Sequence, residues 1–74
     1  MDLHEYNEKK QCIEWMIRHY ENNCMKYLDY ESVKHMKLDD LETLYNYDEA
    51  MVDMYWCELH LLEAKRLIYG TKAH

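Results

Sequence analysis

The chain has 74 residues and a mass of 9.2 kDa, with nine Lys and Arg against fifteen Asp and Glu, a formal net charge of -6. A chain this short buries little more than half of the surface its unfolded state exposes, so it needs near-ideal packing, a staple or a partner chain. Length excludes a multidomain enzyme. Pro is absent, Gly occurs once and Phe never, which leaves almost no residues for tight β-turns and predicts an all-α fold.

The first residues, Met1-Asp2-Leu3-His4-Glu5, lack the basic and apolar stretches of a secretory signal, so a cytoplasmic protein is expected. Leu3, Tyr6, Ile13, Met16, Ile17, Tyr20, Cys24, Tyr27 and Leu28 recur at helical spacing and predict a helix over about residues 3–29. Glu5 with Lys9 and Glu14 with Arg18 are i,i+4 pairs in the favoured orientation. Tyr30, Val33 and Met36 point away from that stripe, which places a break at residues 29–32 and a connector with a short helical turn over residues 30–38. A competing reading carries the first helix to His35, since Lys34, His35 and Lys37 suit a helix C-terminus.

Asp39 as N-cap and Glu42 three residues later form a capping box for a second helix over about residues 39–69, roughly 45 Å long at ~1.5 Å per residue. Lys65 and Arg66 complement its macrodipole, and Gly70 is placed to close it as a left-handed αL residue. The tail, residues 70–74, is expected to fray. Without a linker rich in Pro, Gly or Ser or any detectable repeat, residues 1–74 read as a single helical domain. No run of 18 apolar residues occurs, so no membrane span is expected.

Stepped at about 100° per residue, the apolar arc of the first helix is roughly 120° wide, which one or two neighbouring helices cover. That of the second approaches 200°: Leu44, Met51, Tyr55, Leu62 and Tyr69 form its centre, with Leu41, Val52 and Leu59 on one flank and Tyr47, Met54, Leu61 and Ile68 on the other. One antiparallel helix leaves part of this arc open. The expected architecture is therefore a helical hairpin that dimerises into a four-helix bundle. The alternative is a monomer whose connector folds back as a third helix. Asp48, Glu58 and Arg66 fall within or beside the arc and need partners there.

Between Asp39 and Ala64 there is no Lys or Arg. Opposite the apolar centre of the second helix, Glu42, Asn46, Glu49, Asp53, Trp56, His60 and Glu63 share one face. A Trp within an acidic stripe reads as the anchor of a partner site, and Glu42, Glu49, Asp53, Trp56, His60 and Glu63 are the candidate partner-binding residues; the bland reading is a Trp leaning over a helix neighbour. On the first helix Gln11, Trp15, Arg18, His19, Asn22 and Lys26 lie opposite its core, and Trp15, Arg18, His19 and Lys26 are candidates for nucleic acid or a second partner. Glu8, Glu14, Glu21 and Asp29 dilute that face, which is also what an ordinary solvated helix surface looks like.

No Glu-x-x-His motif of a di-iron bundle is present. Cys57 and His60 make a Cys-x-x-His pair, but zinc needs two further ligands, so no metal or other cofactor is expected. Cys12, Cys24 and Cys57 read as reduced thiols serving as small buried hydrophobes, since Cys12 and Cys24 lie about 18 Å apart on one helix. Neither Cys12 nor Cys24 lies at a spacing that sets its thiol against the His19 imidazole, and one Gly makes no phosphate-cradling loop. A non-enzyme is expected.

Codon-biased composition, rich in Tyr, Met, Asn and Lys, suggests an AT-rich genome such as a phage's. The function expected is a protein-binding regulator or inhibitor of the anti-host or anti-defence kind, which presents its acidic face to the basic surface of a nucleic-acid-handling enzyme. In layout the chain is similar to Rop-type hairpin dimers, and that likeness implies RNA binding by the paired first helices. A small assembly or scaffolding component is the third expectation.

Overall fold

The structure is a computed structural model that describes residues 2–70; residues 71–74, most of the tail expected to fray, and the side chain of Tyr69 lie outside them. Three helices follow in chain order, α1 (Leu3–Tyr27), α2 (Tyr30–Val33) and α3 (Leu38–Tyr69). α1 and α3 pack along one another as an antiparallel helical hairpin of 55 × 16 × 11 Å, without a second layer. No helix of the described residues is long and apolar enough to cross a membrane.

Asp2 caps α1: its backbone is extended and its side chain accepts the Glu5 N–H at 2.7 Å. Lys9 pairs with Glu5 at 3.3 Å as expected, whereas Glu14 and Arg18 form no ion pair. The helix stops at Tyr27, two residues before the expected end, because the Leu28 N–H turns back to the carbonyls of Lys26 and Met25. α2 is a single turn, held by the Ser32 hydroxyl on Asp29 at 3.0 Å and a Lys34–Glu31 pair at 2.9 Å, with Val33 buried. It packs against α1. A four-residue helix there cannot cover the spare face of α3, so the three-helix alternative fails, as does the continuous helix to His35.

Asp39 is not the N-cap of α3. The Met36 N–H closes the turn after α2 on the Val33 carbonyl at 2.9 Å, Lys37 is left extended, and its carbonyl receives the Leu41 N–H at 3.0 Å. Leu38 therefore opens the helix, Lys37 caps it without a side-chain bond, and Asp39 falls within the first turn. At the other end Gly70 has the positive φ expected, 71°, but its ψ of 157° is extended rather than αL; only glycine takes that combination without strain.

The seam between the long helices follows the alternating three-and-four spacing of a coiled coil. α1 supplies Tyr6, Ile13, Tyr20 and Tyr27 together with Lys10, Ile17 and Cys24; α3 supplies Leu41, Asp48, Tyr55 and Leu62 together with Tyr45, Val52 and Leu59. Tyr6, Ile17, Asp48 and Leu62 are its buried points. The expected centre of α3 is corrected here: Tyr55 and Leu62 face α1, but Leu44 turns outward with Tyr47, Met54, Leu61 and Ile68, because α3 is rotated toward its Leu41, Val52 and Leu59 flank. The thiols are corrected too. Only Cys24 lies in the seam, half-buried, while Cys12 and Cys57 fall beside it and are exposed.

The caps give a direct test. Asp2→Ala lowers stability by about 1 kcal/mol, while Asp39→Ala costs only the few tenths of a kcal/mol of its macrodipole interaction, a ranking that urea unfolding followed by circular dichroism reads out.

Candidate interaction faces

The rotation of α3 leaves it two faces besides the seam. On one, Glu42, Glu49, Trp56 and Glu63 repeat every seven residues, flanked by Asp53 and His60. All but Glu63 are exposed. Glu63 is drawn toward α1, where it accepts a hydrogen bond from the buried Tyr6 hydroxyl and lies 3.9 Å from the Lys10 ammonium. The Tyr6 ring also carries the Arg66 guanidinium 4.7 Å from its centroid, so Glu63 belongs to a cluster that closes the open end of the hairpin. Trp56, 42% exposed, leans toward His60 with ring centroids 6.2 Å apart. Cys57 and His60 are both exposed, and no group of three metal-ligating side chains gathers among the described residues.

α1 extends the acidic face. Glu21 and Glu49 line one groove together with Cys24, Tyr45 and Val52. Glu21 was expected to dilute a basic face, and its place beside Glu49 was readable only from its position three residues before the Cys24 seam position once α3 is in phase.

The negative field of this groove marks the groups around it. Burial raises the Cys24 thiol above its ordinary pKa, and the charges of Asp48, Glu49 and Glu21 add to the effect. Tyr45 is raised by the Glu49 charge first and by its hydrogen bond to Glu49 second. At the seam Tyr27 is raised chiefly by its hydrogen bond to Asp48, then by burial. Tyr20 is raised by burial, then by Tyr47, Tyr55 and Asp48.

On α1 the candidates Trp15, Arg18, His19 and Lys26 are all exposed, Trp15 at 62%. Trp15 stacks on His19, with centroids 5.8 Å apart and planes at 6°; His19 meets Tyr20 edge-on, and Tyr20 stacks on Tyr55. The aromatic end of this face is thus joined to the seam, while Arg18 and Lys26 stand apart from it.

The third surface is apolar. Leu44, Tyr47, Met54, Leu61 and Ile68 lie exposed along α3. Beside them runs a groove lined by Cys12, Ile13, Leu61 and Leu62, with Glu8, Lys9, Glu58 and Lys65 at its rims.

Comparison of the chain with protein-family models, curated proteins and solved structures finds no match.

Two expectations follow for titration and labelling. Groups whose folded pKa is raised stabilise the fold fully below their unfolded pKa and lose that contribution as pH rises through the folded value. The contribution of these groups is accordingly lost in alkali, from the ordinary Cys value of 9.0 and Tyr value of 10.0 upward, and Tyr27→Phe shallows the fall in urea titrations at successive pH. Iodoacetamide labels Cys12 and Cys57 before Cys24, as a mass-spectrometric time course shows.

Proposed function

We propose that the chain is a non-enzymatic protein-binding regulator, a homodimeric four-helix bundle that offers its acidic face to a basic surface on a larger, nucleic-acid-handling protein. The observation that carries this reading is the exposed row Glu42, Glu49 and Asp53 around Trp56, on a helix without Lys or Arg from Asp39 to Ala64. Carboxylates at helical spacing oppose a surface shaped for phosphates, and a large aromatic beside them supplies the apolar contact that turns charge attraction into a specific complex. The homodimer is supported by the apolar stripe of α3, which neither α1 nor α2 covers. A phage inhibitor of a host or defence enzyme is the biological form this takes.

RNA binding by α1 has less behind it. Its outward cations are few, Glu14 and Glu21 sit among them, and one face of Trp15 is already stacked on His19.

The test uses wild-type chain immobilised on resin and a bacterial lysate, followed by titration of the purified captured protein. Trp56→Ala and Asp53→Lys each weaken that binding by about tenfold or more, about 1.4 kcal/mol, with the helical circular dichroism unchanged. Wild-type affinity falls as salt rises, and labelled DNA competes for the captured protein. Binding that survives both substitutions undiminished removes the acidic face from the mechanism.

A further inference from the structure

The stripe that α1 leaves open carries a heptad repeat of its own. Leu44, Met51, Glu58 and Lys65 occupy one position of it and Tyr47, Met54, Leu61 and Ile68 another. Tyr47 is 58% exposed, Leu61 59% and Ile68 74%. The two positions together centre about 100° around α3 from the seam, close to the angle at which a helix of a four-helix bundle meets its second neighbour. Solvent imposes no seven-residue apolar repeat; a facing helix does.

Surface area points to the size of what covers it. The chain exposes 5958 Å², whereas a compact monomer of its mass exposes about 4,900 Å². The excess, roughly 1,000 Å², is comparable with the ~800 Å² that each partner buries in a standard-size interface.

We propose that the occupant is a second copy of this chain, with α3 antiparallel on the partner's α3 about a two-fold axis. The register sets Leu44 on the partner's Leu61, Met51 on the partner's Met54, Tyr47 on the partner's Glu58, and Asp40 on the partner's Lys65. This inference rests on the homodimer proposed above and adds its face and pairing.

The charges choose the register. Glu58 and Lys65 interrupt the stripe, Asp40 lies one heptad before Tyr47, and none of the three has an ion-pair partner within the chain among the described residues. In this register each meets a complement: Lys65 a carboxylate, Glu58 a phenolic hydroxyl that donates to it. A slip of one heptad in one direction sets Glu58 against the partner's Asp40, like against like. A slip in the other leaves Glu58 on the partner's Met54, a carboxylate buried without a donor. Docking α3 on the partner's α1 would set the stripe against Lys9, Cys12, Met16, His19 and Asn23, a row too polar to match it.

Sedimentation equilibrium on the full chain across the micromolar range tests the proposal. The expected mass is twice 9.2 kDa, and Leu61→Glu, exposed within the hairpin, reduces it to a monomer of unchanged helical content. Asp40→Lys and Lys65→Asp each raise the dimer dissociation constant by about tenfold, and the double variant returns to within about twofold of wild type. A wild-type monomer at every concentration overturns both the register and the homodimer. A dimer in which the double variant shows no rescue overturns the register and leaves the homodimer standing.

Discussion

A carboxylate taken out of water costs several kcal/mol unless donors and compensating charge surround it, and Asp48, 5% exposed, is taken out of water at the centre of the seam. Its donor is the Tyr27 hydroxyl, with the Tyr20 ring close by. The observed rotation of α3 is the one that brings Asp48 to the tyrosines of α1. The helix is pinned in a phase that turns Leu41, Tyr55 and Leu62 inward and Tyr47, Met54 and Leu61 outward. The acidic and apolar faces take their directions from that choice.

The same constraint accounts for five of the eight Tyr, namely Tyr6, Tyr20, Tyr27, Tyr45 and Tyr55, which line the seam where the chain has no Phe. A seam between two helices lies one side chain away from solvent on both edges, so an aromatic ring filling it has its far end near water or near a surface carboxylate. Tyrosine packs the ring and satisfies the tip. Tyr6 with Glu63, Tyr27 with Asp48 and Tyr45 with Glu49 are three instances, spread from the open end of the hairpin to the connector. A phenylalanine in their place would leave each carboxylate without its donor.

Much of this was legible in the chain and some was not. The narrow stripe of α1, from Tyr6 to Tyr27, gave its buried side correctly because few apolar residues lie elsewhere on that helix, and Tyr30 and Val33 announced the break by leaving the stripe. α3 was harder. Its apolar residues fill most of two adjacent faces, and averaging their directions points between the faces, at the exposed Leu44 and the half-buried Met51. Asp48 held the missing information, but a charged residue inside an apolar arc reads as a defect until its donors on another helix are known. The false capping box at Asp39 has a similar cause. Local spacing cannot reveal that the turn after α2 leaves Lys37 already extended. Among the candidate binding residues, the exposure of Glu42, Glu49, Asp53, Trp56 and His60 was readable from α3 alone, whereas the tie of Glu63 to Tyr6 and the approach of Glu21 to Glu49 depend on the second helix.

The placement of the indoles has an optical consequence. Both tryptophans ride outside the seam, and five tyrosines line it. Indole emission is governed by the wetness of its surroundings, so unfolding the hairpin changes the environment of Trp15 and Trp56 little. Intrinsic tryptophan fluorescence is therefore a poor reporter of whether this chain is folded and a sensitive one of whether something has settled on its surface, while the phenol rings, through near-ultraviolet dichroism, report the seam.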